Sequence, residues 1–134
     1  MSARQLGRAN AASQARLSLI LLLLAGWDLL AFLLELTNTR LLAIGTIDGA
    51  LGARSVSGAT AVLAIAYAYA ARNPLRYRFV VWLASIEQLV ALFACAFHLA
   101  RGDLGVTQAT LPALVAVGFL VALIANLPRQ TEGP

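Results

Sequence analysis

Residues 17–37 form an unbroken run of twenty-one residues, eleven of them leucine, with Asp28 and Glu35 as the ionisable side chains. At about 1.5 Å per residue such a helix covers roughly 31 Å, the hydrocarbon thickness of a bilayer. Further apolar stretches occupy residues 55–71, 79–99 and 109–127. A soluble domain of this size cannot bury four such runs, because its surface-to-volume ratio leaves much of the chain in water. The chain is 60% hydrophobic and 12% charged, against roughly 45–50% and about 25% in ordinary soluble domains. Lipid has to solvate the excess. The sequence therefore predicts an all-α fold, an integral membrane four-helix bundle.

Residues 1–16, with Arg4, Arg8 and Arg16, read as a polar N-terminal tail, partly helical or disordered. Arg16 followed by leucines resembles a secretory signal. The run is long, however, it holds Asp28, and no small-x-small cleavage site follows, so it is read as a retained helix. Its leucines, each worth roughly −0.5 kcal/mol on insertion, offset about +3 kcal/mol for a central aspartate. Residues 38–54 mix Asn38, Arg40, Asp48 and Arg54 with three glycines. They are too few to span, and fit an interfacial helix or a broken lead-in to the second span.

The second span is alanine-rich, and Tyr67 and Tyr69 near its end are expected at the headgroups. Arg72-Asn73-Pro74 stops it, since the residue before a proline disfavours helix. Arg101-Gly102-Asp103 closes the third span, and Pro112 is placed in the first turn of the fourth, where its missing N–H does no harm. Residues 128–134 form a C-terminal tail. Seven arginines (Arg4, Arg8, Arg16, Arg72, Arg76, Arg78 and Arg129) fall on one side and three (Arg40, Arg54 and Arg101) on the other. The positive-inside rule puts the first set, and with it both termini, in the cytoplasm: N-in, C-in.

Charge and composition exclude several functions. All ten basic residues are arginines scattered singly between apolar stretches, which is a membrane-boundary pattern and not a nucleic-acid footprint. The absence of lysine and the wealth of Ala, Leu, Gly and Arg point to a GC-rich bacterial genome. One cysteine and one histidine leave no internal disulfide, no Cys/His zinc cluster and no bis-histidine haem within one copy. No catalytic residues, metal ligands or cofactors are assigned.

Four ionisable residues lie inside the apolar runs: Asp28, Glu35, Glu87 and His98. Facing lipid they are expensive, so they should face the bundle interior, a partner subunit or a water-filled cavity. Asp28 and Glu35 lie within about 20° of each other around the first helix, and Glu87 and His98 within about 20° around the third. Ala84, Ala91 and Ala94 share the second stripe, with Cys95 at its edge, a small-plus-polar contact face.

Counting from the cytoplasmic ends, Asp28 and Glu87 lie about 16 and 12 Å deep, and Glu35 and His98 about 27 and 28 Å deep. That implies an acidic pair near midplane and a Glu–His pair near the outer surface, with Arg54 and Arg101 as ion-pair partners able to snorkel to it. The match in depth requires the first and third helices to be neighbours. Three readings of the stripe stand open: hydrogen-bonded structural acids, a subunit interface, or a proton, cation or ligand site. His98 alone reads as an interface histidine, Cys95 as a small filler, and Trp27 as a packing residue. Gly118 and Ala122 offer a small-xxx-small patch on the uncharged fourth span, the candidate lipid-facing helix.

Arg54 followed by Gly58, then Ala71-Arg72-Asn73-Pro74, and later His98-Leu99-Ala100-Arg101-Gly102, resemble small bacterial four-span membrane proteins of the DoxX-like type. The resemblance implies a compact bundle in the bacterial inner membrane, and in some members an association with quinone-linked oxidoreductases. It carries over no catalytic residue. Three functions follow in rank: a non-catalytic accessory or scaffold subunit of a larger membrane complex, a small proton, cation or small-molecule transporter using the acidic stripe, and a quinone-linked membrane oxidoreductase subunit. The expected partners are the lipid bilayer and other membrane subunits or further copies of the chain.

Overall fold

The computed structural model describes the backbone of residues 3–36 and 50–127, and side chains for 10–34 and 58–127. These residues form four helices and no strand: α1 (Ala3–Leu36), α2 (Ala50–Ala70), α3 (Arg78–Arg101) and α4 (Val106–Asn126). Residues 37–49, most of the segment read as interfacial, lie outside the described residues.

Three helices start earlier than their apolar runs. α1 begins at Ala3 and runs unbroken through the segment read as a tail, because its Ala, Arg, Gln and Leu residues are good helix formers and no proline interrupts them. α2 begins at Ala50, so Ala50–Arg54 is helix and not a broken lead-in. α4 begins at Val106, which moves Pro112 out of the first turn and into the buried body of the helix. The early start is fixed by Gln108, whose Oε1 accepts the Gly105 N–H at 3.0 Å, satisfying a donor at the helix entrance.

The turns are built locally. Asn73 organises the α2–α3 turn: its backbone oxygen accepts the N–H groups of Arg76 and Tyr77, both at 3.1 Å, and its Oδ1 accepts the Arg76 N–H at 3.2 Å. Gly102 ends α3 in the left-handed region (φ 76°), a conformation that a side chain disfavours. It lets the Asp103 N–H reach back to the His98 carbonyl at 3.0 Å, a C-terminal capping geometry.

In space, α1 packs chiefly on α2 and α3 on α4, while α1–α4 and α2–α3 contacts close the ring. Ser13 Oγ donates to the Asn126 carbonyl at 2.8 Å, so the N-terminal part of α1 lies beside the C-terminal end of α4. α1 and α3 are therefore diagonal and not neighbours, contrary to what the depth argument required. Their direct contact is slight.

The distribution of bulk is the reverse of a soluble bundle. The closed core is Leu17, Leu21, Leu24, Ala25, Tyr67, Ala70, Ala71, Val81, Ala84 and Leu123, whereas Leu22, Leu23, Val62, Ile65, Phe79, Trp82 and Phe93 are exposed. Contiguous apolar surface on this scale calls for an apolar surrounding, and small residues at helix contacts are the membrane pattern. Three stretches, Asn10–Leu34, Arg78–Arg101 and Val106–Asn126, are long and apolar enough to cross a membrane. α2 has 21 residues, of which Gly58–Ala70 is a shorter apolar stretch.

The inward faces are finer than the sequence stripes. On α3, Val81, Ala84, Ser85, Gln88 and Cys95 are buried, with Ala91 and Ala94 half-buried at the margin. On α4 the buried residues are Ala109, Pro112, Ala116 and Leu123. Gly118 is exposed, and a Cβ added there meets nothing within 4 Å. Gly118 therefore lies off the packing face of α4, with Ala122 half-buried at its margin. Ala84→Leu should overfill the core and destabilise the bundle by about 1–3 kcal/mol. Gly118→Ala should be neutral or stabilising by up to about 1 kcal/mol, through helix propensity. Thermal unfolding in mild detergent reads both, and a harmful Gly118→Ala beside a silent Ala84→Leu would reverse these faces.

Candidate functional site: a polar cluster inside the bundle

Helical side chains lean toward their own N-terminus. Tyr67, one turn from the end of α2, therefore projects away from the α2–α3 turn and into the bundle. Glu87, on the helix running back, leans toward that turn. They converge: Tyr67 Oη–H donates to Glu87 Oε2 at 2.5 Å. The neighbouring Gln88 Nε2 donates to the same oxygen at 3.3 Å. Ser85, also buried, is satisfied within its own helix by the Val81 carbonyl at 3.0 Å.

Asp28 completes the cluster from the diagonal helix. It is 4% exposed, and its Oδ2 is buried without a hydrogen-bond partner among the described residues. It lies within electrostatic range of both Glu87 and Tyr67. The ion pairs of the described residues are at the other end of α3, and neither reaches these acids. A buried Asp28 and a half-buried Glu87 thus adjoin a buried phenol and a buried amide, and neither acid has an ion-pair partner among the described residues.

Asp28 and Glu87, paired by depth in the sequence, lie within electrostatic range of each other here. At the far end of α3, two of the predicted site residues meet the turn that follows the helix. His98 Nδ1 contacts Asp103 Oδ2 at 3.1 Å, and Arg101 Nε reaches the same oxygen at 3.3 Å. His98 and Arg101 are thus engaged by the turn that follows α3. The side chains of Glu35 and Arg54 lie outside the described residues, and so does the expected pairing of Glu35 with His98. Among the described residues no three His, Cys, Asp or Glu side chains gather to hold a metal.

Two members of the cluster escaped the sequence reading. Tyr67, expected at the headgroups, is 0% exposed, while Tyr69 is exposed at the rim. Residues two apart on a helix differ by about 200°, so Tyr67 and Tyr69 cannot share a face. Ala64, Ala70 and Ala71, at helical spacing from Tyr67, marked its side as the inner one. Gln88 was overshadowed by the acid beside it, although it stands four residues from Ala84 and seven from Cys95, both buried.

No family model, curated protein or solved structure matches this chain.

Proposed function

We propose that this chain is a four-span protein of the bacterial inner membrane, N-in and C-in, that moves protons through the Asp28–Tyr67–Glu87 cluster. The observation that carries the reading is Asp28: nearly fully buried, one carboxyl oxygen unpartnered, beside a second acid. An uncompensated buried carboxylate is prohibitively expensive, so a proton or small cation has to accompany this pair. Intramembrane acids facing a bundle interior are the usual material of proton pathways. Tyr67 supplies a hydroxyl able to donate and accept, and Gln88 holds the Glu87 carboxyl in place. The proton is favoured over a bulkier ligand because Tyr67, Gln88 and Asp28 are all closely packed.

Proteoliposomes with an entrapped pH dye test this. The wild-type protein should accelerate collapse of an imposed pH gradient, and Glu87→Gln, still assembled, should fall to the protein-free background. A wild-type protein at background removes the reading.

The second reading is the accessory subunit. It draws on the outward aromatic stripe of α3, Phe79, Trp82 and Phe93, which is exposed in the isolated chain and suits a helix–helix contact as well as lipid. Purification in gentle detergent followed by mass spectrometry of co-purifying chains tests it. The quinone-linked alternative draws on the DoxX-like resemblance alone.

The topology rests on the arginine count, the three long apolar helices and the length of α2. Single cysteines near Arg76 and at the C-terminus, in a Cys95→Ala background, should react only with reagents admitted to the cytoplasm. Cysteines near Asp48 and Asp103 should react from outside. Termini on opposite sides would mean an odd number of spans.

A further inference from the structure

The α2–α3 turn carries a pattern that the interior cluster does not use. Arg72, Arg76 and Arg78 are all exposed, and none appears in an ion pair among the described residues. Arg101, at the opposite end of α3, is by contrast paired with Asp103 at 3.3 Å. Two of the three guanidiniums are braced on aromatic rings. Arg72 lies 5.6 Å from the Tyr69 ring centre and Arg76 5.7 Å from that of Tyr77. The rings themselves touch, with centroids 5.2 Å apart, and Tyr77 Oη–H donates to Tyr69 Oη at 3.3 Å. Asn73 fixes the backbone between them.

We propose that this turn binds the phosphate headgroup of an anionic phospholipid in the leaflet it faces. Stacked guanidiniums keep their N–H edges free, and those edges match phosphate oxygens in a way an ammonium does not. A lipid is favoured over a free anion because apolar surface adjoins the charge. Phe79, directly after Arg78, and Trp82 one turn on are both exposed and offer acyl chains a wall below the headgroup. Arginines at a cytoplasmic boundary are attracted to acidic lipid surfaces in any case; the paired rings add a fixed geometry.

This inference rests on the membrane reading above but not on the proton pathway, so Glu87→Gln should leave it intact. The full chain in micelles doped with phosphatidylglycerol or with phosphatidylcholine of the same acyl chains, examined by native mass spectrometry, tests it. Phosphatidylglycerol should be retained over phosphatidylcholine by about tenfold or more. R72Q/R76Q/R78Q should lose that preference and R101Q should keep it. R72K/R76K/R78K, which keeps charge and fold but loses stacking and the guanidinium fork, should lose part of it. Equal retention of the two lipids by the wild type, or full preference in the glutamine or the lysine triple variant, overturns the proposal. Displacement of the lipid by inorganic phosphate at matched concentration also overturns it, assigning the turn to a soluble anion.

Discussion

Tyr67→Ala should destabilise the bundle by about 3–5 kcal/mol, the range for deleting a fully buried aromatic ring. Tyr67 sits with Leu17, Leu21, Ala70 and Val81 in the closed core, and its hydroxyl reaches Glu87. Its removal leaves a cavity and takes from Glu87 the closer of two donors. Tyr67→Phe, which keeps the ring and deletes the hydroxyl, should cost only about 0.5–1.5 kcal/mol. Unfolding in detergent, followed by circular dichroism, separates the two. Equal stabilities for the Ala and Phe variants would mean that the ring lies at the headgroups, where the sequence alone suggested.

Glu87→Leu should be nearly as damaging, for a different reason. It leaves the Tyr67 hydroxyl and the Gln88 amide without their shared acceptor, at about 1–3 kcal/mol for each donor left unsatisfied. Glu87→Gln keeps an acceptor oxygen and adds N–H donors near the unpartnered Asp28 Oδ2, so its stability should stay within about 1 kcal/mol of wild type. The pair of variants separates architecture from activity. A purely structural acid tolerates Gln in every assay, whereas a proton-carrying one tolerates it in folding and fails in transport.

The coarse fold was legible because membrane helices must satisfy their own backbone and need a minimum apolar length. Residues 79–99 fall within α3, and 109–127 match α4 to within its C-terminal cap, for that reason. The starts of α1 and α2 were not legible from hydropathy, since Arg4 to Arg16 and Ala50 to Arg54 are polar or mixed yet helix-competent. At the site, charge marked Asp28 and Glu87 from the sequence, because acids in an apolar run have few tolerable surroundings. Tyr67 and Gln88 are ordinary residues whose role depends on which face points inward, and the large-residue stripes point to lipid as readily as to the core. His98 shows the same limit. It shares a stripe with Glu87, but the left-handed Gly102 folds the chain back and brings Asp103 to within 3.1 Å of its Nδ1. No periodicity records that turn.

If Asp28 and Glu87 act as one proton-carrying unit, proton flux in proteoliposomes should fall to background in Asp28→Asn and in Glu87→Gln alike. The double variant should then be no worse than either single change, because residues working as a unit are not additive. Equal reconstitution is checked by size-exclusion chromatography and by protein recovered per vesicle. Independent, partial losses that multiply in the double variant, or undiminished flux in either single variant, would contradict a shared site at the centre of the bundle.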